Sequence, residues 1–158
     1  MSKLSMGALC GALSFFVVIS GSIRARADAS VAPVTLDRDK LAGLGLPAIP
    51  PDAFQDILVS GELHMRVATL FKGKQLRVSV FESTPAKTDH RKRPTDIDEF
   101  VYVLSGKLIL TETNGARHEY RPGDSLVLPV GYTGTWEMQG NYRELVVEQQ
   151  KSEGLTRH

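Results

Sequence analysis

Short runs of alternating apolar and polar residues, separated by turn residues, are the feature that most limits what this chain can fold into. The pattern begins at Ile57 and continues to Glu148. A period of two is typical of strands with one buried face, because successive side chains of a strand point to opposite faces of its sheet. About eight short strands with almost no helix predict an antiparallel sandwich or a closed barrel.

Turn residues set the predicted limits of these strands. Asn114-Gly115 is the strongest hairpin signal, because both residues tolerate positive φ. Ser105-Gly106-Lys107 predicts a turn between strands at 99–104 and 108–113. The segment 82–98 is polar and carries two prolines. It therefore predicts a long loop at the mouth of the fold, and long loops in compact domains are often functional.

The N-terminus has the parts of a secretory signal peptide. A lysine precedes an uncharged run over residues 4–23, and Ala25-Arg26-Ala27 gives an A-x-A pattern with cleavage before Asp28. Cleavage before Ser30 is a second option, and an uncleaved anchor is the alternative, since about 20 apolar residues can span a bilayer. We predict export across the inner membrane to the periplasm, with no stable membrane anchor. The single cysteine, Cys10, leaves with the signal.

Length, composition and charge favour one globular domain. The chain has 158 residues, is 42% hydrophobic and carries a formal net charge of +1. This charge gives no electrostatic reason to expect nucleic acid as a partner. In the lead-in, Thr35 is the predicted N-cap of a short helical turn. We divide the chain into a signal peptide (1–27), an N-terminal arm (28–56), a β domain (57–148) and a flexible tail (149–158).

Two segments resemble the two sequence motifs of the cupin superfamily. In the first, Glu99 is followed by Gly106 at the spacing of the first motif. In the second, Gly123, Pro129 and Gly131 have the spacing of the second motif. The amino-acid sequences of both segments resemble those of one cupin branch, the ethanolamine-utilisation-type and ureidoglycine aminohydrolase-like cupins. The resemblance implies an all-β, single-domain cupin fold, a jelly-roll-like antiparallel β-barrel that hosts unrelated chemistries. It also implies a homodimer.

Most ligands of the metal site that the resemblance implies are missing. The positions expected to carry histidines and an asparagine hold other residues: Lys92 or Arg93, Pro94 or Thr95, Gly134 and Met138. Glu99 remains, and one carboxylate does not hold a transition metal, because such sites take three or more protein donors. We therefore predict no metal cofactor. If a divalent ion such as manganese is bound, Glu99 and His90 are the candidate ligands.

A carboxylate inside an apolar barrel has uses without a metal. Burial would raise the pKa of Glu99, which could then act as a general acid or base or hydrogen-bond a ligand. Pairing with a nearby arginine, such as Arg77, Arg91 or Arg93, is the structural alternative. Trp136 is either a stacking platform for a small planar or sugar ligand or a core residue.

The predicted function is the binding of a small polar metabolite inside the barrel. We assign five residues to the ligand site: Glu99, Trp136, Tyr132, His90 and Arg93. No catalytic residue is assigned. Two alternatives stay open. One is a small-metabolite hydrolase or isomerase, resembling ureidoglycine aminohydrolase, that uses Glu99 as acid, base or metal ligand. The other is a structural or assembly protein with a filled barrel.

Overall fold

The computed structural model describes residues 32–150, and the predicted signal peptide lies outside the described residues. One short helix, α1 (Arg38–Leu41), precedes the sheet. Its N-cap is Asp37, whose carboxylate accepts hydrogen bonds from two backbone N–H groups of the first turn. The predicted cap, Thr35, is therefore two residues too early. In the described part of the chain, no helix is long and apolar enough to cross a membrane.

Eight antiparallel strands form the body of the fold, which confirms the all-β prediction. A single 3-10 turn at Gln55–Ile57 leads into them. In chain order they are β1 (Leu58–Gly61), β2 (Met65–Lys72), β3 (Leu76–Ser83), β4 (Ala86–Asp89), β5 (Glu99–Glu112), β6 (Arg117–Tyr120), β7 (Ser125–Leu128) and β8 (Gly134–Gln149).

The long strands β5 and β8 each take part in two sheets. The first half of β8 pairs with β4 and with the second half of β5, whereas its second half pairs with β3 and with the first half of β5. One sheet therefore has the order β1-β4-β8-β5-β6 and the other the order β2-β3-β8-β5-β7. This is a jelly-roll arrangement.

Both long strands contain a glycine where the pairing passes from one sheet to the other. Gly106 has a φ of 71°, and a Cβ there would lie 2.7 Å from the carbonyl oxygen of Gln139 and from Tyr142 Cα. Only glycine fits such an approach. The turn predicted at Ser105–Lys107 is wrong, because the ladder between β5 and β8 continues through this point with shifts of register. Gly140 has a φ of 70° in the facing strand.

The segment predicted as one long loop contains strand β4. This strand pairs with β1 on one side and with β8 on the other. Its sequence Ala-Lys-Thr-Asp has no large apolar residue, so alternation could not reveal it. Ala86 and Thr88 are nevertheless buried and face the core, while the loop proper runs from residue 90 to residue 98.

The predicted closed barrel is not observed. Among residues 32–150, no ladder joins the edge strands of one sheet to those of the other. The edge strands β1, β6 and β7 are only four residues long, and each pairs with a single neighbour. The fold is therefore two sheets that share β5 and β8, and its sides are closed by packed side chains rather than by hydrogen bonds.

Apolar side chains from both sheets fill the space between them. The arm before the sheet lies along β2, because the N–H of Ile49 donates to the carbonyl of Met65 and the N–H of Val67 donates to that of Pro47. The buried cluster consists of Leu63, Ala86, Val101, Val103, Leu108, Leu110, Leu128, Met138, Tyr142 and Val146. Burial of these side chains is the main stabilising contribution to the fold.

Candidate functional site

A cavity of about 210 Å3 lies between the two sheets. At about 30 Å3 per molecule in liquid water, this volume equals about seven water molecules. Its wall is largely apolar, with Phe81, Met65 and Val146 among the lining residues. The polar groups come from both sheets and from the loop after β4: Glu82, Ser83, Thr88, His90, Glu99, Tyr142, Glu144 and Glu148.

Glu99 is the first residue of β5 and lies beside Glu148 of β8 in the ladder. Burial, together with the negative charges of Glu148 and Asp96, raises the pKa of Glu99 to about 7 against the opposing charge of Arg77. Arg77 is bonded to the carboxylate of Glu148 rather than to Glu99. Glu99 accepts no hydrogen bond from any residue between 32 and 150.

The other two arginines considered as partners of Glu99 are also engaged elsewhere. Arg91 forms a bidentate ion pair with Asp89. Nη2 of Arg93 lies 3.7 Å from Oδ1 of Asp56. The structural alternative for Glu99, pairing with one of these arginines, is therefore not what the structure shows. Its carboxylate is turned to the cavity.

A second polar group, formed by Glu144, Tyr142 and Ser83, lines the same cavity. The hydroxyl of Tyr142 donates to Oε2 of Glu144, and both side chains are buried. Burial raises the pKa of Glu144 to about 7, against the lowering effect of the Tyr142 hydrogen bond and with a further rise from the charge of Glu99. Ser83 lies opposite Tyr142 in the ladder and is 5% exposed. Its Oγ has no hydrogen-bond partner among the described residues.

His90 and Trp136 form a stacked aromatic pair in the wall. Their ring centroids are 4.6 Å apart at an interplanar angle of 26°. Nε2 of the His90 ring lies 3.1 Å from Oγ1 of Thr88. The backbone N–H of His90 donates to the backbone carbonyl of Gly134 at 2.8 Å. Burial lowers the pKa of His90, so the imidazole is neutral at neutral pH.

Arg93 lies at the mouth of the cavity. An outer cleft, lined by Arg93 and Phe54, shares the side chains of His90, Glu99 and Trp136 with the cavity. The guanidinium of Arg93 lies 5.4 Å from the ring centroid of Phe54. Its Nη1 donates a hydrogen bond to the backbone carbonyl of Ala53 at 3.2 Å. It therefore holds the segment before β1 against the mouth.

Tyr132 is the predicted site residue that lines neither the cavity nor the outer cleft at its mouth. It lines a separate cleft with residues of β6 and β7. Its ring centroid is 6.5 Å from that of Trp136, at an angle of 58°. Its hydroxyl has no hydrogen-bond partner within residues 32–150. In this position Tyr132 supports Trp136 instead of lining the cavity.

The side chains present do not fit a cupin-type metal site. At Gly134, the position of the second-motif histidine, a Cβ would lie 2.5 Å from the carbonyl oxygen of Thr111, so the backbone leaves no room for a ligand. Thr95 donates its hydroxyl to the carbonyl of Pro129 at 2.7 Å. In the described part of the chain, no three His, Cys, Asp or Glu side chains are placed to hold a metal ion. Glu99 and His90 do share the cavity. The absence of a metal cofactor stays a prediction.

Sequence reasoning missed the second polar group because β8 is apolar on both faces. Leu145, Val146 and Val147 follow one another, so alternation does not show which of them points inward. The available signal was the spacing of Glu144 and Glu148, which lie two positions to either side of Val146. Once one of these side chains faces the core, the other must face it too.

Comparisons with known proteins agree with this fold. Residues 70–144 match the EutQ-like cupin domain family. No curated protein is significantly similar in sequence to the chain. A protein of unknown function from Pseudomonas syringae pv. tomato is 25% identical, with a TM-score of 0.58 over 65% of this chain and 43% of its own. The chain thus spans less than half the length of that protein.

Two further structures show likeness in fold alone. The EutQ protein of Clostridium difficile is 16% identical with a TM-score of 0.53, covering 70% of this chain and 83% of its own. The polyketide cyclase RemF from Streptomyces resistomycificus is 21% identical with a TM-score of 0.50, covering 70% and 78%. With the motif spacing and the family match, these likenesses lead to one assignment. Residues 70–144 form a cupin domain of the EutQ-like family.

Proposed function

We propose that this protein binds a small polar metabolite in the cavity between its sheets, without a bound transition metal. The observation that carries the proposal is a cavity of about 210 Å3 whose wall contains a buried hydroxyl, Ser83 Oγ, without a hydrogen-bond partner among the described residues. The carboxylate of Glu99 faces the same cavity. Buried polar groups are normally hydrogen-bonded, so a ligand that donates to them would be stabilised.

Binding is testable through the single tryptophan of the chain. Because Trp136 lines the cavity, a metabolite that enters should change the intrinsic fluorescence and raise the melting temperature of the purified protein. The Glu99→Gln variant should weaken these effects, whereas Glu62→Gln, at a side chain that is 92% exposed, should not. A broad screen of small polar metabolites without any response would refute the proposal.

The metal-free part of the proposal has its own measurement. Elemental analysis of the purified protein should find well under one equivalent of manganese, iron, nickel or zinc. Added Mn2+ or Zn2+ should not raise the melting temperature in a way that depends on Glu99. Near one equivalent of metal per chain that is lost in Glu99→Gln would overturn this part.

An enzymatic role is the second candidate, and the two acidic groups favour it. Both Glu99 and Glu144 have pKa values near 7, which suits general acid–base catalysis at neutral pH. Turnover of ureido or amide metabolites that disappears in Glu99→Gln while the fold persists would support this role. The third alternative, a structural protein with a filled barrel, is disfavoured by the open cavity.

We also propose a periplasmic location and a homodimer. The A-x-A pattern that ends at residue 27 motivates the location, and mass spectrometry of exported protein should show that residues 1–27 are removed. An apolar strip on the outer face of one sheet motivates the dimer. There Phe100 lies beside Val127 in the ladder and near Tyr102, and all three are exposed. Phe100→Ser should shift the mass in light scattering from two chains to one.

A further inference from the structure

Carboxylates are the most numerous polar groups in the cavity wall, which also contains the unpaired Nε1–H of Trp136. Four glutamates line the cavity, and ionised carboxylates can only accept hydrogen bonds: Glu82, Glu99, Glu144 and Glu148. The strongest donor near them, the guanidinium of Arg77, is already bonded to Glu148. The Tyr142 hydroxyl is bonded to Glu144. The protein therefore leaves carboxylate oxygens without donors on the inner surface.

Ser83 gives a second and independent indication of a ligand. Its side chain lines the cavity and is 95% buried, and its Oγ has no hydrogen-bond partner among residues 32–150. Leaving a buried polar atom unpaired costs about 1–3 kcal/mol. Ser83 lies opposite Tyr142 in the ladder between β3 and β8. The hydroxyl of Tyr142 donates to Glu144, so Ser83 and the Glu144 carboxylate belong to one polar group.

The rest of the wall suits an apolar ligand body. Met65, Phe81 and Val146 line the cavity, and Trp136 lines both the cavity and the outer cleft. An indole face also attracts a cation that passes or rests against it. No arginine or lysine is among the cavity-lining side chains in the described part of the chain. Arg143 pairs with Glu82 and Arg77 pairs with Glu148. An anionic ligand would therefore still be repelled by Glu99 and Glu144, which have no cationic partner there.

Building on the proposed function, we propose that the ligand is a small organic cation with a primary ammonium group on a short apolar body. The ammonium donates to Glu144 and Ser83, and the apolar body lies along Phe81 and Val146. A primary ammonium has three donors and no acceptor, which matches a carboxylate beside an unpaired hydroxyl. A hydroxyl group offers only one donor and no charge, so an alcohol of the same length should bind more weakly.

The surroundings of Glu144 make this binding depend on pH. The titratable and charged groups that line the cavity with it, or pair with lining residues, are Tyr142, Arg143 and Glu148 on β8, Arg77 and Glu82 on β3, Glu99 on β5 and His90 after β4. Because the pKa of Glu144 lies at about 7, its charged fraction rises from pH 6 to pH 8. Amine affinity should therefore rise about tenfold over this interval, with release of a proton on binding.

The test compares three probes of equal length with the purified full chain: n-pentylamine, 1-pentanol and pentanoate. Calorimetry and Trp136 fluorescence at pH 8 should show binding of pentylamine, at least tenfold weaker binding of pentanol, and no binding of pentanoate. Glu144→Gln should weaken pentylamine binding at least tenfold, and Ser83→Ala a few-fold. Glu62→Gln is the matched control and should bind like the wild-type protein.

Several outcomes overturn the inference and leave the proposed function standing. These are pentanol or pentanoate binding as tightly as pentylamine, or a different polar metabolite that binds in the cavity while pentylamine does not. An affinity for pentylamine that falls between pH 6 and pH 8 also overturns it. If Glu144→Gln does not fold, Ser83→Ala and the pH profile of the wild-type protein decide. No binding by any probe or metabolite refutes both.

Discussion

The buried carboxyl of Glu144 makes the stability of the fold depend on pH. Its pKa rises from 4.5 to about 7 on folding, mainly because of burial. The folded state thus holds this proton more tightly than the unfolded chain does. The contribution of Glu144 to stability is complete below pH 4.5 and is lost as the pH rises through 7. The difference corresponds to a loss of about 3 kcal/mol.

The measurement is urea denaturation of the wild-type protein and of Glu144→Gln at pH 5 and pH 8. We expect the free energy of unfolding of the wild-type protein to fall by about 2.5 kcal/mol more than that of the variant over this interval, because part of the loss has already occurred at pH 5. Glutamine keeps an oxygen that can accept from Tyr142 but does not titrate. Half-buried Glu99 adds a smaller loss of the same sign, and this loss remains in the variant.

Glu62→Gln controls for the removal of a carboxylate as such, because its side chain is 92% exposed. Its unfolding free energy should follow the wild-type values at both pH values. The reasoning is refuted if Glu144→Gln loses as much stability between pH 5 and pH 8 as the wild-type protein. In that case the carboxyl is solvated, and the cavity admits water to its inner end.

Three further changes test other parts of the structure. Gly134→Ala should destabilise by about 2 kcal/mol more than Gly115→Ala, because both have positive φ but only Gly134 meets a backbone oxygen, at 2.5 Å. Arg77→Met should lower the free energy of unfolding by about 2–3 kcal/mol, because it leaves a buried glutamate unpaired. Trp136 fluorescence should show a pH transition below about 6.5 that His90→Gln removes, because burial lowers the pKa of the stacked imidazole.

Each of these has a result that would count against it. Equal costs for the two glycine variants would mean that the strand bearing Gly134 can move away from β5. Full stability of Arg77→Met would show that Glu148 does not depend on its partner. The double change Arg77→Met with Glu148→Gln should recover part of the loss. A fluorescence transition at the usual pKa of histidine would mean that His90 is solvated.

The sequence was informative where turn residues and alternation coincide. Strands β6 and β7 each begin two residues after a turn sequence, Asn114-Gly115 and Pro122-Gly123 respectively. The same reasoning failed at Ser105–Lys107, which reads as a turn but lies within one continuous strand. A glycine at positive φ is required both by a turn and by a close approach between strands, and local sequence does not distinguish the two.

The candidate site was predicted in part for a related reason. Glu99 and Trp136 could be placed from motif spacing, and the structure puts both in the cavity wall. His90 is brought there by β4, a strand without large apolar residues. Glu144 was not predicted as a site residue, because the side of β8 on which it lies depends on the register of β8 against β3 and β5. Register is fixed by residues that are distant in sequence, so no local pattern contains it.

The sharing of β5 and β8 between the two sheets has a consequence for how the protein folds and opens. Their ladder runs from Glu112 beside Gly134 to Glu99 beside Glu148, so the pairing at its far end closes a loop that contains residues 100–147, which costs chain entropy. Folding should therefore be slow for a chain of this size. Because β5 and β8 belong to both sheets, neither sheet can open without losing hydrogen bonds of the other. The backbone amide hydrogens of both sheets should therefore exchange with solvent together, in a single cooperative opening.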